Sequence, residues 1–176
     1  MKRVVISGLI CMAILFELLT FACCGVKNAR LQVVLTDYAA VLESNGLDGL
    51  RLSVYYIDPS ILTRFPLTEE RLLSFESVQR FEVDNAQLLQ NIELLKTINA
   101  EEMTPVSNAS VLDARLCCIF ESDRAGQVLR LTLGGKDNSI FVNGVEVENF
   151  ELLLDLLMAF ASEETMRVLV HYFDKE

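Results

Sequence analysis

Residues 112–121 read LDARLCCIFE, and their side chains alternate between an apolar set and a more polar set. The residues of the two faces are Leu112, Ala114, Leu116, Cys118 and Phe120 on one, and Asp113, Arg115, Cys117, Ile119 and Glu121 on the other. Successive residues of a β-strand point to opposite sides, so this period of two predicts a half-buried strand.

The following residues predict one more strand and then a hairpin of two strands. The sequence SDRAG turns the chain, and QVLRLTL would then return with Leu129, Leu131 and Leu133 facing inward. After a second turn that begins at Gly134, the sequence SIFVNGVEVE is centred on Asn143-Gly144. Asn-Gly favours a type I′ turn, which needs positive φ at both residues. We therefore predict an antiparallel β-meander over about 112–148.

Strand and helix patterns alternate before the meander. RLSVYYI, residues 51–57, is β-branched and aromatic, and QRFEV, residues 79–83, alternates like a second strand. Thr68 is placed to cap a short helix, and Asp84 or Asn85 to begin another that runs to about residue 98. The polar stretch 99–110 is predicted to be a loop.

Helical periodicity occurs before the first predicted strand and again after the meander. Residues 27–49 predict a helix with an apolar face of Leu31, Val34 or Leu35, Tyr38 and Leu42, or else a tether that packs on the domain. Asn149 would begin an apolar helix through 152–160, and Ser162 a last helix to about 173. The predicted fold class is α+β, in which the meander and one or two further strands pack against three or four helices.

The first residues have the layout of an export signal. Lys2 and Arg3 form a positive end, and residues 4–16 carry no charge. We therefore divide the chain into a signal peptide or signal anchor at 1–24, a tether or N-terminal helix at 25–49, and a single domain at 50–176. Glu17 disfavours one continuous membrane span, since a carboxylate inside the bilayer is costly.

The end of this leader resembles the signal of bacterial lipoproteins. Thr20, Phe21, Ala22 and Cys23 occupy the positions of that motif, with Leu19 one place early and Thr20 and Phe21 as departures. The resemblance implies lipid on Cys23, or on Cys24 in the alternative frame. An uncleaved signal anchor and ordinary cleavage after Ala22 or Cys24 remain open. Each option predicts an extracytoplasmic domain, held at the outer face of the cytoplasmic membrane or secreted.

Charge and cysteine content exclude several functions. The formal net charge is −10, which disfavours nucleic acid as a partner. Cys117 and Cys118 would point to opposite faces of a strand, so they cannot converge on one metal ion. An exported domain without a disulfide framework suggests a bacterial envelope protein.

No residue pattern predicts catalysis, and we predict no cofactor and no metal site. His171, the single histidine, is expected on the outer side of the last helix. The acids fall at predicted helix starts and turns, where capping explains them; they are Asp58, Glu69, Glu70, Asp84, Glu121, Asp123, Glu151, Glu163 and Glu164.

We therefore predict that the chain is a non-enzymatic binding or accessory domain, anchored to the membrane, with an envelope protein as a possible partner. One alternative is a carboxylate-dependent hydrolase of envelope polymers, which requires two acids in one pocket. Another is an inhibitor or protective protein, which would need an exposed apolar loop near Phe65-Pro66 or within 99–110.

Overall fold

A computed structural model describes residues 26–43, 49–107, 110–134, 139–148 and 150–173. Over these residues the fold is α+β, as predicted. The helices are α1 (26–43), α2 (Glu69–Leu73), α3 (Asn85–Gln90), α4 (Ile92–Lys96), α5 (Phe150–Phe160) and α6 (Glu163–Leu169), followed by a 3₁₀ turn, Val170–Tyr172. The strands are β1 (Leu50–Tyr56), β2 (Gln79–Val83), β3 (Thr104–Pro105), β4 (Ala114–Ser122), β5 (Gly126–Gly134), β6 (Ile140–Val142) and β7 (Val145–Glu148).

The strands form one antiparallel sheet in the order β2-β1-β4-β5-β6-β7-β3. The predicted meander is its continuous part, β4 to β7, and the β6–β7 turn has positive φ at Asn143 and Gly144. In the described chain three strands lie outside the meander, where one or two were predicted. The additional strand is β3, two residues of the predicted loop 99–110, which pairs with β7.

The larger core lies between the sheet and the helices. From α1, Leu31, Leu35, Tyr38 and Leu42 are buried in this core. The Tyr38 ring meets the Phe120 ring of β4 edge to face, and the Tyr38 hydroxyl donates to the Leu95 carbonyl of α4 at 3.3 Å. One helix and the centre of the sheet are thereby joined to a second helix.

The other face of β4 is also buried. Cys117 and Ile119 pack there with Ile57, Leu67 and Leu72, in a second and smaller cluster. The half-buried pattern is therefore wrong for this strand. The apolar Cys117 and Ile119 on its second face instead indicate burial on both sides, and residues 57–78 supply the second cover.

Because of a β-bulge, two residues lie on the opposite face of the sheet from the one predicted. The register between β4 and β5 shifts between Ala114 and Leu116. A bulge adds one residue to one strand and so reverses the alternation beyond it. Ala114 consequently lies in the second cluster, with Leu112 packed against it, and not beside Leu116.

Three of the predicted helix caps are present. Thr68, Asp84 and Ser162 each accept a hydrogen bond from the backbone N–H three residues later. The predicted helix from Asp84 to about residue 98 is divided into α3 and α4 at Asn91, whose side-chain amide donates to the Gln87 carbonyl at 3.0 Å. Such local side-chain bonds compete with helix continuation, and together with α1 this division raises the number of helices in the described chain from the predicted three or four to six.

Several predictions fall on residues outside the described ranges: the leader with Cys23 and Cys24, the predicted cap Asn149, and the turn at 135–138. Of the helices described, none has both the length and the apolar character needed to cross a bilayer.

The Phe120 side chain should be a major source of stability, because it is fully buried at the centre of the core. We expect Phe120→Ala to lower the free energy of unfolding by about 3 to 5 kcal/mol, through lost burial and the cavity left behind. Urea unfolding followed by circular dichroism measures this. Val111→Ala, at an exposed position, is the control and should change stability by less than about 0.5 kcal/mol. Equal effects of the two substitutions would contradict the assigned core.

Candidate functional site

Part of the cover over the second face of the sheet is the segment 57–68, which joins β1 to α2 and which we name the cover loop. Its two ends are buried at Ile57 and Leu67, and Ile61 is partly buried against the same cluster. The cover loop has no regular secondary structure. Its conformation is therefore held from outside the loop. The Ile57 N–H donates to the Arg115 carbonyl at one end, the Ala114 N–H donates to the Leu67 carbonyl at the other, and side chains hold the part between them.

Arg115 and Asp113 hold the middle of the cover loop. The Arg115 guanidinium donates to the Ile61 carbonyl at 3.1 Å and to the Thr63 hydroxyl at 2.9 Å. Asp113 forms an ion pair with Arg115 at 2.6 Å, and its other oxygen accepts from the Leu67 backbone N–H at 2.8 Å. Bonds to charged groups are stronger than neutral ones, so this pair fixes the loop at three residues.

The beginning of the cover loop is fixed as well. The Tyr172 hydroxyl donates to the Ile57 carbonyl, and burial raises the pKa of this phenol. Asp58 accepts from the Ser60 hydroxyl at 2.6 Å and from the Ser60 N–H at 2.8 Å, and these bonds lower the pKa of its carboxyl group. The resulting turn leads directly into the exposed part of the loop.

Between these fixed points the cover loop exposes two large apolar side chains, Leu62 and Phe65, which we name the apolar tip. Leu62 is 93% exposed and Phe65 63% exposed. The Arg64 guanidinium carbon lies 5.4 Å from the centre of the Phe65 ring, within the range of a cation–π contact. Val111, on the segment that leads to Asp113, is a further exposed apolar residue. The tip is thus an apolar surface on a backbone held by the sheet.

A polar cluster lies under α2, next to the cover loop. Glu69 starts this helix, but its carboxylate turns inward and accepts from Arg130 at 2.7 Å and from the Thr132 hydroxyl at 2.5 Å. Arg130 also donates to Gln127 at 2.6 Å, while its buried Nε has no hydrogen-bond partner. The cluster fastens α2 to β5, and both oxygens of Glu69 are engaged in doing so.

Cys117 borders this cluster, with its sulfur 3.7 Å from the Thr132 hydroxyl. Burial raises the pKa of Cys117 to about 11 and that of Cys118 well above its usual value. The thiolate is the reactive form of cysteine, so neither thiol is activated at neutral pH. The two side chains lie in separate clusters on opposite faces of β4, as the alternation predicted.

The acids that the sequence analysis singled out have different surroundings. Glu70, beside Glu69, is exposed, and bonds from its own backbone N–H and the Thr68 hydroxyl lower the pKa of its carboxyl group. Glu146 was not singled out, because it alternates with valines in a hairpin strand, yet it is buried and binds the Ser110 N–H and hydroxyl at 2.5 Å and 3.0 Å. A general acid of a glycosidase needs a raised pKa, whereas the pKa values of the Asp58 and Glu70 carboxyl groups are lowered.

The remaining candidates are His171, a metal site and the segment 99–110. His171 is exposed, as predicted. Among the described residues no three or more His, Cys, Asp or Glu side chains converge as metal ligands. Within 99–107, Met103 is buried, so the exposed apolar loop sought for an inhibitor occurs near Phe65 and not here.

No protein-family model matches this chain, and the comparisons with curated proteins and with solved structures likewise give no match. The function must therefore be argued from the geometry of the molecule.

The inward position of Glu69 gives a prediction for stability. We expect Glu69→Ala to lower the free energy of unfolding by about 2 to 3 kcal/mol, because it removes the carboxylate that accepts from the mostly buried Arg130 guanidinium and from the Thr132 hydroxyl. Glu70→Ala, in the same helical turn, is the matched control and should have a much smaller effect. Urea unfolding compares the two variants, and an equal loss would mean that Glu69 acts only through the helix dipole.

Proposed function

We propose that this chain is an exported bacterial envelope protein, anchored to the outer face of the cytoplasmic membrane, and that it acts as a non-enzymatic binding or accessory domain. The observation that carries the proposal is the apolar tip, Leu62 and Phe65, exposed on the cover loop. Binding requires no reactive group, and the tip has none.

The support for binding comes from how the tip is held. Arg115 and Asp113 fix the backbone on both sides of it, at Ile61, Thr63 and Leu67. A loop already held in one conformation loses little entropy when it binds. The tip also combines an aromatic residue with Arg64, and aromatic residues and arginine are enriched where interfaces concentrate their energy.

A protein partner fits the charge of the chain better than a lipid surface does. The net charge is −10, and such a surface is repelled by anionic lipid heads. A recess on an envelope protein can instead accept Leu62 and Phe65 while the polar residues around them meet its rim.

An inhibitor or protective protein is a second candidate, favoured by the same loop. It differs only in that the partner would be an enzyme, with the tip occupying its cleft. The rival hydrolase of envelope polymers gains no support from the acids, since Glu69 is engaged by Arg130 and Thr132, and Glu146 by Ser110.

The anchor predicts a definite intact mass for the protein extracted from its native membranes. Lipid on Cys23 gives residues 23–176 plus a diacylglyceryl group, with or without a further acyl chain, and the alternative frame starts at Cys24. An unmodified full-length mass would instead indicate a signal anchor. A trimmed mass without lipid would indicate a secreted domain and would contradict the anchor.

The tip itself can be tested by site-specific photo-crosslinking in the native envelope. A photoreactive residue in place of Leu62 should crosslink to one envelope protein, and Phe65→Ala in the same chain should lower the yield at least about tenfold, as expected for a central interface residue. The matched control places the photoreactive residue at Leu89, an exposed apolar position on α3.

Each other outcome contradicts part of the proposal. Equal crosslinking from positions 62 and 89 would indicate that exposed apolar residues associate non-specifically with envelope proteins. Crosslinking of position 62 to phospholipid alone, reproduced with purified protein on vesicles of anionic lipid, would replace the protein partner with the membrane surface.

A further inference from the structure

The two edges of the sheet differ in their capacity to accept another strand. One edge is β3, which has two residues, one of them Pro105 with no backbone N–H to donate. The other edge is β2, with five residues, Gln79–Val83, of which Gln79, Arg80 and Glu82 are exposed. An edge strand presents unpaired N–H and C=O groups along its outer side and can therefore template the addition of a strand.

The charges on β2 form a pattern centred on Phe81. Arg80 and Glu82 are two residues apart, so they project from the same face of the strand. They form an ion pair at 2.7 Å and are 60% and 58% exposed. Charged side chains on an edge commonly keep other strands away, most strongly where like charges would meet. Opposite charges on either side of one residue have the contrary effect on a second copy of the same strand.

From this pattern we propose that β2 is a self-association edge, at which a second copy of this chain pairs antiparallel about a two-fold axis through Phe81. In this register Arg80 lies opposite Glu82 of the second copy, and Glu82 opposite Arg80 of the second copy. Oppositely charged residues directly across an antiparallel pair stabilise it. The two Phe81 side chains lie opposite each other on the other face of the strands, where aromatic pairs are also favourable.

The charges select this register over its neighbours. Sliding the second strand by two residues opposes Arg80 to Arg80 of the second copy in one direction, and Glu82 to Glu82 of the second copy in the other. Like charges directly opposite each other destabilise a strand pair. Hydrogen-bonded and non-hydrogen-bonded residue pairs alternate along an antiparallel pair of strands. The centred register is compatible with this alternation, because it places opposite each other residues whose backbone N–H and C=O groups point in matching directions.

The geometry of an antiparallel pair fixes how the two copies face. Residues opposite each other point to the same side of the combined sheet, so the helices of both copies lie on one side and both cover loops on the other. The pairing therefore presents two apolar tips in the same direction. The inference itself does not depend on what the tips bind, because it rests on β2 alone.

The expected association is weak. A pairing confined to five residues from each chain buries less than the roughly 1,000 Å² that a stable interface needs. Charge reversal is consequently a sensitive test, since the two symmetric Arg80–Glu82 contacts are altered together by one substitution.

The test uses four full-length chains in detergent micelles: the wild type, Arg80→Glu, Glu82→Arg, and the double exchange Arg80→Glu/Glu82→Arg. Native mass spectrometry over a concentration series measures the dimer fraction, and one partner of each mixture carries ¹⁵N so that mixed dimers are distinguished by mass. Circular dichroism checks that each variant is folded, which is expected because both side chains are exposed.

We expect the wild type to dimerise and each single variant to dimerise at least about tenfold more weakly. In the single variants carboxylates lie opposite carboxylates, or guanidinium groups opposite guanidinium groups, and like charges repel. An equimolar mixture of the two single variants should form mixed dimers, and the double exchange should restore homodimers. A monomeric wild type would overturn the proposal, as would dimers indifferent to the substitutions. If the single variants lose the dimer and their mixture does not form mixed dimers, the register centred on Phe81 is overturned.

Discussion

The structure depends on the burial of β4, Ala114–Ser122, on both of its faces. Leu116, Cys118 and Phe120 lie in the helix-side core, and Cys117 and Ile119 in the second cluster. A strand that is apolar on both sides requires a cover on each. The helices provide one, and the cover loop with α2 provides the other. The two covers are built differently, because the helices satisfy their own backbone groups whereas the loop has to obtain partners from the sheet.

The elements that could be predicted from the sequence are those whose signal is local. The Asn143-Gly144 turn follows from the preference of two adjacent residues for positive φ. The Asp84 cap follows from one side chain within reach of a backbone N–H three residues on, with Gln87 completing a capping box. Strand alternation in the meander and the apolar face of α1 likewise depend on neighbours along the chain, so the fold class could be reached without tertiary information.

Tertiary contacts decide the features that the sequence did not predict. The bulge near Ala114 reverses a face without any Gly or Pro in β4 itself to mark it. Glu69 has the sequence position of a helix-dipole residue, and only the arrival of Arg130 and Thr132 from β5 turns it inward. Glu146 alternates with valines as a solvent-facing residue would, but the segment that contains Ser110 crosses over it. The site could therefore be located only to a loop near Phe65, and the residues that hold it, Arg115 and Asp113, could not be identified.

The apolar tip is not required for the cover loop to protect the sheet. Ile57 and Leu67 bury the second face at the ends of the loop, Ile61 packs partly against it, and the polar bonds of Arg115 hold the middle. Leu62 and Phe65 add exposed apolar area to a segment that is already fixed. Polar residues at these two positions would satisfy every contact that holds the loop. The fold thus explains why the loop is held but does not require its apolar tip, and this is the physical ground for the binding role proposed above.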